Sequence, residues 1–213
     1  MTAETVIQWL GGFVAYVALG VVLYGVWRGT RQQAGRTVGL SGGWLRSWWF
    51  YLASSLFFYG IAYWGWNPLP LTFSPPIHIA MLIVGSLLYF PGMLFLLWAR
   101  LTLGKNYFVS TGFGAQLFKE HQLITSGPYA IVRHPMYAGL ILAALGSLLL
   151  YFTWTTVYFA CFAPLMLVRA WREETALSAE FGEQWKEYCK RVPAFIPRLR
   201  KERHDQSQRI SSH

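Results

Sequence analysis

The side chains able to do chemistry gather in two short stretches of a very apolar chain. The first is Gly127-Pro128-Tyr129-Ala130-Ile131-Val132-Arg133-His134-Pro135-Met136-Tyr137-Ala138-Gly139, with a cation, an imidazole and two tyrosines just ahead of a long uncharged run. Gly127-Pro128 stops a preceding helix, and Pro135 suits the first turn of the next, where its missing N–H costs nothing. Arg133 and His134 thus fall at a membrane–water boundary, where titratable groups point to function. On the structural reading, Arg133 snorkels to headgroups and His134 caps a helix. The second stretch is Arg169-Ala170-Trp171-Arg172-Glu173-Glu174. Arg169 and Glu173 are four apart and share one helical face, as an ion pair worth a few tenths of a kcal/mol (~0.3) or as ligand-binding groups of opposite sign. His121-Gln122-Leu123-Ile124 adds a third, smaller group.

Other chemistries are poorly served. Gly112-Phe113-Gly114 is a lone fragment of a dinucleotide loop, and no phosphate loop or H-E-x-x-H occurs. His78, His121, His134, His204 and His213 are too scattered to suggest a metal site. The only aspartate, Asp205, lies in the charged tail, which argues against a Ser-His-Asp triad. Cys161 and Cys189 cannot form a disulfide framework.

The elements that must position these residues follow from composition. Of 213 residues 54% are hydrophobic and 13% charged, with 11 Trp, 12 Tyr and 15 Phe, too apolar for a soluble domain of this size. We expect an all-α polytopic membrane protein of about five spans. Span one covers about 5–27 and is a retained anchor, because Glu4 replaces a basic start and Arg28, Arg31 and Arg36 follow it. Span two covers 45–66, bounded by tryptophans as an aromatic belt. Span three covers 78–99 and carries Pro91-Gly92, an expected kink. Its Gly85 and Gly92 suit either helix packing or room for a ligand.

The uncharged run 138–168 is too long for one upright span and carries Thr153-Trp154-Thr155-Thr156 near its middle, so it reads as a hairpin of 136–152 and 155–168. Charge supports that count. With five spans, all 18 Lys and Arg fall on one side, as the positive-inside rule expects of an N-terminus-out, C-terminus-in chain. The same one-sidedness points away from nucleic acid despite the +9 net charge. Beyond the spans, 171–188 reads as an amphipathic cytoplasmic helix with Leu177, Phe181, Trp185 and Tyr188 on its apolar side and a weak point at Gly182. The division expected is 1–100 for three spans, 101–199 for the chemical region, and 200–213 for a flexible charged tail.

With these residues on the page, a resemblance is visible. Residues 123–139, Arg169-Ala-Trp-Arg-Glu-Glu174, Phe181-Gly182, Trp185-Lys-Glu-Tyr188 and Lys190-Arg-Val-Pro193 closely resemble the conserved blocks of isoprenylcysteine carboxyl methyltransferases. The resemblance covers about 101–197. Phospholipid methyltransferases share R-H-P-x-Y and the Glu-Glu pair, and membrane sterol reductases share a similar tail.

The resemblance implies an integral-membrane methyltransferase using S-adenosylmethionine. It places His121, Gln122, Leu123 and Ile124 along the cofactor, with Tyr129, His134, Pro135, Met136 and Tyr137 around its adenosine and methionine parts. It gives Glu173 the cationic amino group, joins Glu174 to the same site, and turns Arg169 toward the acceptor. A further polar contact usual in the family falls near Gly114 or Gln116 and stays unassigned. The acceptor would be lipophilic, either a small molecule or a lipid. A carboxylate acceptor of the prenylcysteine kind is already ionised and needs only a positioning cation, which Arg169 offers. A phospholipid amine or a small thiol must first lose a proton, which would make Glu174, Tyr137 or His134 a base. An NADPH-dependent sterol-type reductase and a non-catalytic scaffold are the other classes the sequence allows.

Overall fold

A computed structural model of the chain describes residues 2–31, 48–104 and 122–198. His121, the loop around Gly112, the polar interlude 105–121 and the tail 199–213 lie outside the described residues. Among the described residues six α-helices follow in order: α1 (Ala3–Arg31), α2 (Trp48–Trp64), α3 (Pro75–Leu103), α4 (Pro135–Tyr151), α5 (Trp154–Phe162) and α6 (Leu165–Arg191). A short 3₁₀ turn, Gly127–Ala130, precedes α4. Among the described residues there is no strand, only an isolated antiparallel bridge between Pro68 and Thr153.

The spine is the antiparallel pair α3 and α4, and glycine is the reason these helices approach so closely. A Cβ on Gly92 would sit 2.9 Å from the Gly139 carbonyl, and one on Gly146 would sit 2.8 Å from the Gly85 carbonyl and 2.5 Å from the Tyr89 nitrogen. Gly85 and Gly92 are therefore packing positions for a neighbouring backbone, as small residues commonly are where apolar side chains gain nothing by leaving lipid. Helix α3 continues through Pro91 as one 29-residue element. Pro91 lies on the outward face of the helix, as does Leu87, whose carbonyl its missing N–H would have served.

Helix α1 leans on this spine through Gly11, Ala18 and Gly25, which recur every seven residues. Ala18 is buried in the core with Tyr89, Met93, Ala143 and Leu150. A side chain on Gly11 would meet the Tyr151 hydroxyl, and one on Gly25 would occupy the place of the Arg100 guanidinium. Polar ties fix the same contact: Tyr89 donates to the Gly11 carbonyl at 2.8 Å, Tyr151 to the Gln8 carbonyl at 2.7 Å, and Gln8 to the Leu150 carbonyl at 2.9 Å. In a dry environment each such bond satisfies a group that would otherwise be costly.

The long apolar run breaks where its threonines stand. Phe152 adopts a left-handed conformation, and Thr153 opens α5 with a reciprocal capping box to Thr156. The α2–α3 loop meets this break: Leu69 N–H donates to the Phe152 carbonyl at 2.7 Å and Trp154 N–H to the Asn67 carbonyl at 3.2 Å. The second apolar half differs from the expected single helix 155–168. Pro164 lacks an N–H, so the helical ladder is interrupted there and α5 ends at Phe162. From Leu165 no breaker intervenes until Gly182, so the end of the apolar run and the amphipathic tail form one helix. Gly182 (φ 49°, ψ −115°) interrupts it at the expected weak point.

Two helices, α1 over Ala3–Arg28 and α3 over Pro75–Leu103, are long and apolar enough to cross a bilayer. Large side chains such as Trp9, Phe13, Phe57, Tyr63, Leu87 and Leu94 point outward from the bundle. Such a belt suits hydrocarbon rather than water, and the chain is an integral membrane protein.

The glycine packing makes a prediction. Gly146→Ala should lower stability in detergent by about 1–3 kcal/mol, because its methyl meets backbone that cannot swing away. Gly60→Ala on α2, where a Cβ would meet nothing within 4 Å, should leave it unchanged or raise it by up to about 1 kcal/mol, the helix-propensity gain of Ala over Gly. Equal thermal midpoints for the two variants would refute this account of the α3–α4 contact.

Candidate functional site

Antiparallel packing brings the C-terminal end of α3, the N-terminal end of α4 and the middle of α6 to one end of the bundle. The opposite end holds Glu4 and His78, 3.2 Å apart, and the uncharged loops. The 3₁₀ turn forms because Gly127 takes φ 59° ahead of Pro128. Pro128 and Pro135 are fully buried, so the Arg133-His134 dipeptide is clamped between two fixed points.

Glu174 is the hub. Its Oε1 accepts from Arg133 Nε at 3.0 Å, Arg133 Nη2 at 2.8 Å and His134 Nε2 at 2.8 Å. Arg133 also donates from Nη1 to the Val192 carbonyl at 2.8 Å, and its guanidinium lies 5.9 Å from the centre of the Trp185 ring. The His134 bond and the Arg133 guanidinium hold the Glu174 carboxyl below the ordinary carboxylate range, against the opposing pull of burial. His134 is only 5% exposed, and its ring lies nearly parallel to those of Tyr137 (5.8 Å, 18°) and Phe195 (5.3 Å, 28°).

A second cluster adjoins the first through Tyr137. The Tyr137 hydroxyl donates to Glu173 Oε2 at 2.9 Å and accepts from Arg169 Nε at 3.0 Å. The two members of the anticipated i,i+4 pair are thus bridged by a hydroxyl from another helix. Tyr129 is buried close by. Burial, with the Glu173 charge next, raises its hydroxyl pKa well above the usual value, so it stays protonated. Arg100, 6% exposed on α3, opposes that shift in Tyr129 and rests against α1 where Gly25 leaves room.

Most of the residues singled out in the sequence converge here. Tyr129, His134, Pro135, Tyr137, Arg169, Glu173 and Glu174 meet at this end of the bundle. Met136 is half-buried on the first turn of α4. Leu123 packs on the cluster of Trp185, Tyr188 and Val192, while Gln122 is exposed and Ile124 half-buried. Arg133 is no snorkelling anchor: its guanidinium turns inward to Glu174.

Sequence reasoning passed over Arg100, Tyr188 and Phe195. Arg100 reads as one more basic residue at a span's end, and only Gly25, seventy-five positions away, betrays its pocket. Tyr188 counts as part of an apolar stripe, although its hydroxyl donates to the Tyr129 carbonyl at 2.6 Å. Phe195 stands just past the Lys190–Pro193 block, where no spacing signals a contact with His134.

The arrangement offers two carboxylates of different character. Glu174 is neutralised by Arg133, whereas Glu173 accepts from a neutral phenol. Near them lie the Arg169 guanidinium, the His134 imidazole and several ring faces. This donor set suits a ligand that carries a positive amino group and a flat ring, and it provides a separate cation for an anionic group.

Comparison with known proteins agrees with the resemblance. Residues 81–179 match the Isoprenylcysteine carboxyl methyltransferase (ICMT) family. A Protein-S-isoprenylcysteine O-methyltransferase from Schizosaccharomyces pombe is 38% identical over 81 residues, 37% of this chain and 34% of that protein. The cobalt-zinc-cadmium resistance protein CzcN of Cupriavidus metallidurans is 39% identical over 83 residues, 38% of either chain. A Delta(14)-sterol reductase, TM7SF2 of Mus musculus, is 39% identical over 80 residues, 34% of this chain and 18% of that one. The alignments thus span little more than a third of the first two relatives' length.

The pairing of Glu174 carries a pH prediction. Its carboxyl ionises below the ordinary 4.5, so the stabilisation is complete above that value and is lost as pH falls through the lower folded value. With the Arg133 and Glu174 side chains 14% and 25% exposed, Glu174→Gln should cost about 1–3 kcal/mol at neutral pH, less than for a fully buried pair. The thermal midpoints of wild type and variant in detergent should converge as pH drops from about 6 to about 3. A gap independent of pH would refute the pairing.

Proposed function

We propose, from the match of residues 81–179 to the isoprenylcysteine carboxyl methyltransferase family, that this protein is an S-adenosylmethionine-dependent methyltransferase of the membrane. Its acceptor on this reading is a lipophilic carboxylate of the prenylcysteine kind. The observation that carries the reading is the Tyr137 hydroxyl, which binds Glu173 and Arg169 at once. A cation-seeking carboxylate and an anion-seeking guanidinium are thereby held one side chain apart, at the end of the bundle where the basic residues collect.

When bound, S-adenosylmethionine supplies a methyl group made electrophilic by its sulfonium. The chain's residues bind and orient. Glu173, whose described partner is a neutral hydroxyl, offers its charge to the cofactor's amino group. On this reading Glu174, His134, Pro135, Met136, Tyr137 and Tyr129 line the same site, together with Gln122, Leu123 and Ile124. Arg169 turns its planar donors toward the acceptor. Bringing acceptor and methyl group into line is a proximity effect, and it needs groups held as firmly as these.

The state of Glu174 supports this acceptor class. A carboxyl held ionised by Arg133 and His134 is a poor proton acceptor, and a tyrosine hydroxyl is a poor base near neutral pH. This favours an acceptor that arrives already ionised over a phospholipid amine or a small thiol. The five-span reading, with the amino terminus outside and the carboxyl terminus in the cytoplasm, is supported by the one-sided distribution of Lys and Arg. It would let a water-soluble cofactor enter beside the inner leaflet while the acceptor comes from the bilayer.

A second reading, a sterol-type reductase, draws on the similarity to the mouse Delta(14)-sterol reductase. The R-H-P-M-Y stretch with the Arg-Glu-Glu pair favours the methyltransferase. Binding of NADPH without binding of S-adenosylmethionine would reverse the ranking.

Purified protein given methyl-labelled cofactor and lipophilic carboxylates should yield base-labile label in the acceptor, as an ester does. Base-stable label would move the reading to an amine or thiol. Glu173→Gln and His134→Ala should each weaken cofactor binding by about tenfold or more, as loss of a charged hydrogen bond or of a packed ring-and-bond contact does. Unchanged affinity in both, measured by calorimetry, would overturn the site.

A further inference from the structure

Downstream of the stretch that matches the family, the chain returns to the site and closes one side of it. Gly182, in a conformation that favours glycine, redirects α6 so that Trp185 and Tyr188 face inward. The chain then runs alongside the Arg133-His134 dipeptide. Arg133 N–H donates to the Pro193 carbonyl at 2.8 Å, and His134 N–H donates to the Ala194 carbonyl at 3.0 Å. The next residue, Phe195, lays its ring against the His134 imidazole at 5.3 Å and 28°.

The two backbone bonds fix where Phe195 can stand, and its ring contact restricts how the imidazole can turn. The ring orientation matters because His134 Nε2 has to meet Glu174 Oε1 at 2.8 Å while that oxygen also serves Arg133. A freely rotating imidazole would leave this shared acceptor with a vacancy, and Glu174 stands next in the chain to Glu173.

We propose that Phe195 is a positioning residue of this site: its ring, carried on the strap 192–195, holds His134 in the plane in which it donates to Glu174. The geometry of the His134–Glu174 pair stands independently of the ligand, while the consequence for cofactor binding rests on the methyltransferase reading above. Neither Phe195 nor the strap falls within residues 81–179, where the family match lies.

The test uses the full chain in detergent, with Phe195→Leu (similar volume, no ring) and Phe195→Tyr (ring kept). Carbethoxylation of His134 by diethyl pyrocarbonate, followed by peptide mass spectrometry, should accelerate about fivefold in Phe195→Leu and stay within about twofold of wild type in Phe195→Tyr, since local opening governs access to a covered ring. His78, at the other end of the bundle, is the internal reference and should react equally in all three. Affinity for S-adenosylhomocysteine should fall about three- to tenfold in Phe195→Leu and recover in Phe195→Tyr, the size of an aromatic pair's contribution. Wild-type labelling and affinity in Phe195→Leu, or equal damage by both variants, would overturn the proposal. If wild type binds no S-adenosylhomocysteine, the methyltransferase reading falls, and His134 labelling still decides the role of Phe195.

Discussion

The carboxylate of Glu174 holds this end of the molecule together. A charge in a low-dielectric setting is costly unless paired and hydrogen-bonded. Glu174 answers that cost with a guanidinium and an imidazole on a single oxygen. Those partners sit immediately before α4, and the acid sits in α6, so the pairing ties two helices that otherwise touch little. Arg133 extends the tie through the Val192 carbonyl to the chain beyond α6. One acid therefore fixes the relation of three segments, and the second acid, Glu173, inherits its place from it.

That pairing depends on close packing farther down the bundle. Gly85, Gly92, Gly139 and Gly146 let α3 and α4 meet backbone to backbone, which sets where α4 begins and hence where His134 stands. Gly25 performs a different service by admitting the Arg100 guanidinium between α1 and α3. Helix α1 lies outside residues 81–179, where the family match falls, yet it covers a charge that borders the site. Membrane helices gain little by burying apolar groups against one another, so shape fit and a few satisfied polar groups carry this specificity.

The two clusters divide their labour by electrostatics. Arg133 and His134 satisfy Glu174 and hold it ionised. Glu173 instead accepts from the neutral Tyr137 hydroxyl. Tyr129, kept protonated chiefly by burial and next by the Glu173 charge, adds no negative charge to that corner. The Tyr137 hydroxyl stands between Arg169 and Glu173 and is hydrogen-bonded to both.

Much of this was written in the sequence. Apolar runs without charge, tryptophan at their ends, Thr153 at a break and Gly182 in an amphipathic stretch each act through local chemistry, so helix content and the two interruptions could be read directly. The motif around Arg133-His134 and the Arg-Glu-Glu stretch stood out by residue type, and the fold brings the two together. The ending of α5 at Phe162 could have been read from Pro164, whose missing N–H acts locally, but the length of the uncharged run obscured it. Which acid meets the imidazole could not be read at all, because Glu173 and Glu174 are adjacent and differ only in the direction they face around α6. That choice, the inward turn of Arg133, the burial of Arg100 against Gly25 and the arrival of Phe195 beside His134 depend on contacts between segments tens of residues apart. Only tertiary packing determines such contacts, since no spacing along the chain encodes the angle at which two helices meet.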